Sequence, residues 1–304
     1  MLKRYRLQDR EFVPTDADDA LLHVYITPDD EERQYLVQSC RIDEHTLNSA
    51  LDPDELSRIE FEPNHVAIIA KRPKNYSSEE EFMFRVSSMG LFVFENKLIV
   101  VVSEDAPLFR RKPTYCQETP AGLVLHLLNY AIAHFIEHLK VMNMVADEVE
   151  DKINSSLENR HLLSLFTLEK SLVYYLHAIH ANSVLIEKLR LNSAKLRFSP
   201  EQKEFLEDIA IDNQQCYRLA EIYSNVISNL MDARASIVAN NLNILMKNLT
   251  ILTIALMAPT LVVSIFSMNV PLPLQNHPYA FGFVLLLSAL SSLFVFAIWR
   301  SSRM

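Results

Sequence analysis

NLTILTIALMAPTLVVSIFSMNVPLPLQNHPYAFGFVLLLSALSSLFVFAIW, from Asn248 to Trp299, is the stretch that decides how this chain is read. It runs for about 52 residues without an Asp, Glu, Lys or Arg. A bilayer core takes about 20 consecutive apolar residues per helix, so two spans and a short turn fit within it. The turn, Pro271 to Pro278, carries His277 as its one titratable group. Lys247 lies just before the first span, and Arg300 and Arg303 lie just after the second. Basic residues collect on the cytosolic side of membrane segments. The expected topology is therefore multi-pass in the cell (inner) membrane with both termini cytoplasmic, the hairpin sitting in membrane lipid. Trp299 and Tyr279 are candidate interface anchors.

Working back from the hairpin, Ser199-Pro200-Glu201 is a helix start, with a serine N-cap and proline at the first helical position. Between Pro200 and Pro259 there is neither proline nor glycine. One helix is predicted from Pro200 to about Ser267, on the order of 100 Å at ~1.5 Å per residue. Only its outer part can cross a hydrocarbon core of about 30 Å, so the inner part forms a cytosolic stalk. Thr119-Pro120 opens another helix, predicted to run to about Leu157, and a further one covers roughly Arg160 to Leu191. Before these the chain is rich in short Val, Ile and Phe runs punctuated by Pro, Asn, Asp and Ser. Strands are predicted at Leu21 to Thr27, His65 to Lys71, Glu81 to Val86, Gly90 to Phe94 and Lys97 to Val102, with a hairpin at Asn96. A short helix is predicted within Leu47 to Ile59, with Asp52-Pro53 at a turn or a helix start. The organisation is an α+β cytosolic domain over residues 1–112, a helical coat and stalk over 113–247, and a transmembrane hairpin with a short basic tail over 248–304.

The long helix carries a polar line. Asn225, Asn229, Asp232, Ser236, Asn240 and Asn243 follow one another at spacings of three and four, and Met246, Thr250, Thr253, Met257, Thr260 and Ser264 carry the same face into the span. Tyr223, Val226, Ile227, Leu230, Ile237 and Val238 lie on other faces. Three readings stay open: a wet pore lined by amides and hydroxyls, a helix-packing face, and a solvated stalk with Thr and Ser bonded back to the backbone. Two spans cannot enclose a pore unaided, so the pore reading requires a symmetric oligomer.

A net charge of −9 and the lack of a basic patch interleaved with aromatics exclude nucleic acid as a partner. The basic start, Met1 to Arg6, is followed by no apolar run, so no cleaved signal peptide is expected. Three scattered cysteines, Cys40, Cys116 and Cys216, suit a reducing compartment. Three glycines in the whole chain leave no phosphate-cradling loop, and no nucleophile elbow is present, so no enzyme activity is expected. His134-Phe135-Ile136-Glu137-His138 matches a zinc-hydrolase pattern, but it lies inside a predicted coat helix without an evident third ligand and is read as ordinary helix.

The first span ends in Ile265-Phe266-Ser267-Met268-Asn269. This resembles the Gly-Met-Asn signature, preceded by an aromatic, that closes the first span of CorA-type magnesium transporters. Met246-Lys247-Asn248-Leu249-Thr250 resembles that family's Met-Lys-x-Leu-Thr, and Pro259-Thr260-Leu261 its mid-span Pro-Leu-Thr or Pro-Pro-Thr. The layout is similar along the whole chain. The resemblance implies a homopentamer that carries divalent cations, Mg²⁺ first, with Zn²⁺, Co²⁺ or Ni²⁺ as alternatives. It implies a selectivity filter at Ser267, Met268 and Asn269, where the Asn269 amide meets the hydration shell of the ion. It implies apolar constrictions at Met246, Leu249 and Met257, with Asn243 at the inner mouth and Thr253, Thr260 and Ser264 along the lumen. It implies regulatory metal ligands at Asp232 and Asp208, for which solvent-exposed carboxylates are the alternative. The departure is serine for glycine at position 267, which is strained if the backbone there takes φ > 0. A non-conducting, membrane-anchored sensing or structural module is the competing reading.

Overall fold

The computed structural model describes residues 1–8, 11–76, 82–105, 108, 119–155, 159–268 and 278–301. They divide into two units, Met1–Met231 and Asp232–Met304. In the first, strands β1 (Leu2–Gln8), β2 (Glu11–Pro14), β3 (Leu22–Ile26), β4 (Arg58–Phe61), β5 (Val66–Pro73), β6 (Val86–Val93) and β7 (Leu98–Val102) form one sheet in the order β2-β1-β3-β7-β6-β5-β4. β3 and β7 pair parallel, Leu22 opposite Leu98 through Ile26 opposite Val102. The other neighbours are antiparallel.

Helices α1 (Asp30–Gln38) and α2 (Glu44–Leu51) cover one face of the sheet, and α3 (Pro120–Ser155), α4 (Asn159–Leu191) and the start of α5 (Pro200–Phe266) cover the other. The period of two along a strand explains why β7 reads as five consecutive apolar residues. Leu98, Val100 and Val102 enter the core with Leu128, Phe135 and Leu172, while Ile99 and Val101 enter the one with Leu36 and Leu47. Gly90 in β6 is required by close approach: a Cβ there would lie 2.5 Å from the Cβ of Ala50 in α2.

The predicted helix starts are built as capping geometry. The Gly122 N–H donates to Thr119 Oγ1 at 3.1 Å. At α5, the Gln202 N–H donates to Ser199 Oγ (3.2 Å) and the Ser199 N–H to Gln202 Oε1 (3.0 Å), a reciprocal box. Gln202 Nε2 also reaches Thr119 Oγ1 at 2.9 Å, which ties the starts of α3 and α5 together. The hairpin at Asn96 forms, closed by Phe94 N–H to Lys97 O at 2.9 Å.

Several local expectations are corrected. Glu81 to Val86 is no strand over its described part: Phe82 has φ 68° and β6 begins only at Val86. The short helix starts earlier than predicted, at Glu44 with Asp43 as N-cap, and Asp52-Pro53 is the turn that ends it. β1, β2, β4 and α1 add to the predicted elements.

Two buried cations organise the β5 end of the sheet. Lys71 Nζ donates to Pro53 O (2.6 Å) and Ser88 Oγ (3.1 Å), and burial holds its pKa below the ordinary lysine value while Asp54, Asp52 and Glu55 pull it back up. Arg72 reaches Glu104 at 3.2 Å. Beyond the Arg58–Ile69 pair β4 gives β5 no further partner. There Asn182 of α4 completes the ladder. Its Oδ1 accepts from Lys71 N–H (2.9 Å) and Ser57 Oγ (3.0 Å), and its Nδ2 donates to Lys71 O (2.8 Å).

Candidate functional site

The second unit holds α5 from Asp232 onward and α6 (Ala280–Ser301). Each helix contains a window long and apolar enough to span a membrane. From Asn248 onward the half-buried positions on α5 are Ile251, Ala255, Ala258, Pro259, Val262 and Phe266, and those on α6 are Ala280, Val284, Leu287, Ser291, Ser292, Val295 and Trp299, with Ser288 buried. Both sets recur at three and four, the spacing of one helical face. They meet where Ser292 Oγ donates to Ala255 O at 3.4 Å.

The polar line lies opposite that seam. At about 100° per residue, Met246, Thr253, Met257, Thr260 and Ser264 centre about 160° around α5 from Ile251, Ala255, Ala258 and Val262. Asn243, Thr253, Thr260 and Ser264 are exposed, and Met246, Leu249 and Met257 are each 60% exposed or more. In the first unit Asn225 and Asn229 are likewise exposed, while Ile227 is buried on the far side of the helix. Ile237 and Val238 are exposed apolar residues on neighbouring faces.

Four hydroxyls on this face have their protons committed. Ser236 Oγ donates to Asp232 O (3.0 Å), Thr250 Oγ1 to Met246 O (2.8 Å), Thr253 Oγ1 to Leu249 O (2.9 Å) and Thr260 Oγ1 to Leu256 O (2.7 Å). This is the local bonding weighed from the sequence. It leaves each of these four oxygens with lone pairs and no spare proton, a row of acceptors in line with the amides of Asn240 and Asn243, which both accept and donate.

The end of the span is normal backbone. The Ser267 N–H donates to Val263 O at 3.1 Å and its Oγ to Ser264 O at 3.0 Å. Among the described residues positive φ occurs at Thr27, Arg41, Phe82 and Arg197, and not at Ser267. The serine therefore carries none of the strain considered for it. Met268 is 57% exposed. Asn269, the rest of the turn through His277, and Arg303 lie outside the described residues.

Asp232 and Asp208 are exposed, the first in the second unit and the second in the first. Among the described residues no three His, Cys, Asp or Glu side chains gather as one chain's metal site. The zinc-hydrolase pattern is likewise a packing feature. His138 is buried, its Nδ1 2.7 Å from Tyr175 Oη, with the His134 ring 4.3 Å away.

This architecture has relatives. The cobalt/magnesium transport protein CorA of Methanocaldococcus jannaschii is 27% identical over 285 residues, 90% of this chain and 88% of the relative. The complete structure of the CorA magnesium transporter from Methanocaldococcus jannaschii superposes with a TM-score of 0.80 at 24% identity, covering 98% of this chain and 96% of the other. The full-length CmaX protein gives 0.71 at 16% identity, covering 99% and 97%. These structures share the fold: a mixed sheet between helices, a very long helix and a second apolar helix at the C-terminal end. Residues 22–300 match the family described as CorA-like Mg²⁺ transporter protein, a family of membrane transporters and not of enzymes, and with nearly the whole sequence inside that match the chain belongs to it.

Proposed function

We propose that the chain transports divalent cations, Mg²⁺ foremost, along the exposed polar face of α5 at the centre of a ring of five subunits. One observation carries this reading: the row of acceptors opposite the hairpin seam. A hydrated divalent cation presents outward-pointing water protons, and Mg²⁺ gives up its waters reluctantly. Oxygens whose own protons are tied to the backbone suit such a shell and offer an anion nothing to bind. Met246, Leu249 and Met257 interrupt the line with apolar side chains, able to stop conduction by dewetting. Asn243 forms the inner mouth, and Ser267, Met268 and Asn269 the outer filter. Division into a cytosolic domain (1–112), coat and stalk (113–247) and hairpin (248–304) follows this division of labour.

Asp232 would be repeated around the ring. Like carboxylates brought together raise each other's cost of ionisation unless a cation sits among them. Its partners as a metal ligand are then the same residue of neighbouring subunits, and a bound internal cation favours the closed stalk by linkage; Asp208 is a second position of this kind.

Purified chain in liposomes loaded with a metal-sensitive dye is the direct test. Uptake of Mg²⁺ is expected, with Zn²⁺, Co²⁺ and Ni²⁺ compared in the same vesicles, and a mass corresponding to five subunits in mild detergent. Internal Mg²⁺ should slow wild type and slow Asp232→Asn less; coincident curves remove Asp232 from the scheme. A stable monomer, or uptake of none of the four ions, leaves the non-conducting sensing module as the better reading.

The orientation proposed from Lys247, Arg300 and Arg303 has both termini cytoplasmic. In a background without Cys40, Cys116 and Cys216, an impermeant thiol reagent on intact cells is expected to label Gln275→Cys and spare Ser302→Cys. The opposite pattern overturns it.

A further inference from the structure

Proline inside a membrane helix leaves a carbonyl to be accounted for. Pro259 has no N–H, so the carbonyl four residues earlier, Ala255 O, loses its helical donor, and the pyrrolidine ring crowds the same oxygen. Hydrocarbon offers no water in exchange, and such carbonyls persist where a neighbouring helix or a hydroxyl takes over. Ser292 of α6 fills that place, its Oγ 3.4 Å from Ala255 O. Ala255 and Pro259 both belong to the half-buried seam, and Ser292 is half-buried on the matching face of α6.

We infer that Ser292 is a positioning residue that latches the first span at its proline break. Ala255 and Pro259 lie two residues on either side of Met257, one of the constrictions assigned above, so the local backbone that Ser292 holds also sets where the Met257 side chain stands on the exposed face. An uninterrupted helix would hold that position by its own hydrogen bonds. Here the second span, which contributes nothing to the polar face, does so through one hydroxyl. The latch is a statement about the hairpin; its effect on transport rests on the pathway proposed above.

A double-mutant cycle tests it, with full-length protein and two readouts. Ser292→Ala removes the hydroxyl and should speed hydrogen–deuterium exchange of the amides flanking Pro259, and Mg²⁺ uptake by liposomes, each by about threefold, the size of an average interhelical hydrogen bond in a membrane. Ser292→Thr, which keeps the hydroxyl, should behave as wild type. Pro259→Ala supplies the missing N–H to Ala255 O, so adding Ser292→Ala to it should change neither readout. Equal effects of Ser292→Ala with and without Pro259 would mean that the residue merely packs, and would overturn the latch, as would unchanged exchange in the single variant. The expected exchange pattern in a chain that takes up no Mg²⁺ upholds the latch and sinks the transport reading. The expected exchange pattern with wild-type uptake in Ser292→Ala overturns the positioning role at Met257.

Discussion

Asn269→Leu is expected to abolish divalent-cation uptake while leaving the subunit ring intact. Leucine is close to asparagine in size but offers no hydrogen-bonding atom, whereas the amide oxygen proposed for the filter can accept from metal-bound water. A net hydrogen bond is worth about 0.5–1.5 kcal/mol, and in the proposed ring of five the loss is repeated at every subunit. About 5 kcal/mol in total, at 1.4 kcal/mol per factor of ten, puts the fall in uptake well beyond about 100-fold. Asn269→Asp keeps the acceptors and should retain uptake. The checks are Mg²⁺ uptake in liposomes beside the native mass of the same sample. A leucine variant with the wild-type mass that takes up Mg²⁺ at the wild-type rate would remove Asn269 from the filter and with it the proposed mechanism at the outer mouth.

The long helix and its polar face were legible because the signals there are local and repeated. Neither proline nor glycine breaks Pro200 to Pro259, Ser199 caps it, and a spacing of three and four needs no tertiary knowledge. The edges of the sheet were not legible. β1 reads LKRYRLQ and α1 reads DEERQYLVQ. β1 lies between β2 and β3 near the edge, where Arg4 pairs with Asp18 (2.9 Å), Arg6 with Asp19 (3.1 Å) and Lys3 with Asp105 (2.7 Å). Charge replaces the apolar alternation that announces a strand. α1 buries only Leu36, so it has no apolar stripe to detect. The site shows the same division. Spacing gave which residues share the α5 face, but not that the threonine protons turn inward, nor that Ser267 keeps an ordinary backbone, nor that Ser292 answers Pro259 across the hairpin. Those depend on geometry between turns or between helices.

Asn182 was equally invisible, one polar residue among many along α4, and its replacement carries the largest stability change expected here. It is 1% exposed and serves three buried groups: the N–H and C=O of Lys71 and the hydroxyl of Ser57. Its amide stands in for the peptide that a longer β4 would have supplied. Asn182→Ala strands all three away from water. An unsatisfied buried polar group costs about 1–3 kcal/mol, so three cost about 3–9 kcal/mol, and about 5 kcal/mol within that range is already large against the ~5–15 kcal/mol that holds a typical domain together. For a unit of this size about 2–4 °C accompanies each kcal/mol, and the melting temperature of the full chain in detergent should drop by roughly 10–20 °C. Asn143→Ala is the control. That amide bonds Asp147 at 3.2 Å on the surface, and such substitutions stay within about 0.5 kcal/mol. The expected damage is also specific in place: with Lys71 released, exchange at β5 and at residues 52–57 should accelerate before that of β3 and β7, whose ladder Asn182 does not touch. A melting temperature within a few degrees of wild type, or uniform acceleration across the sheet, would show that β5 is held by its pairing with β6 alone and that the amide is incidental.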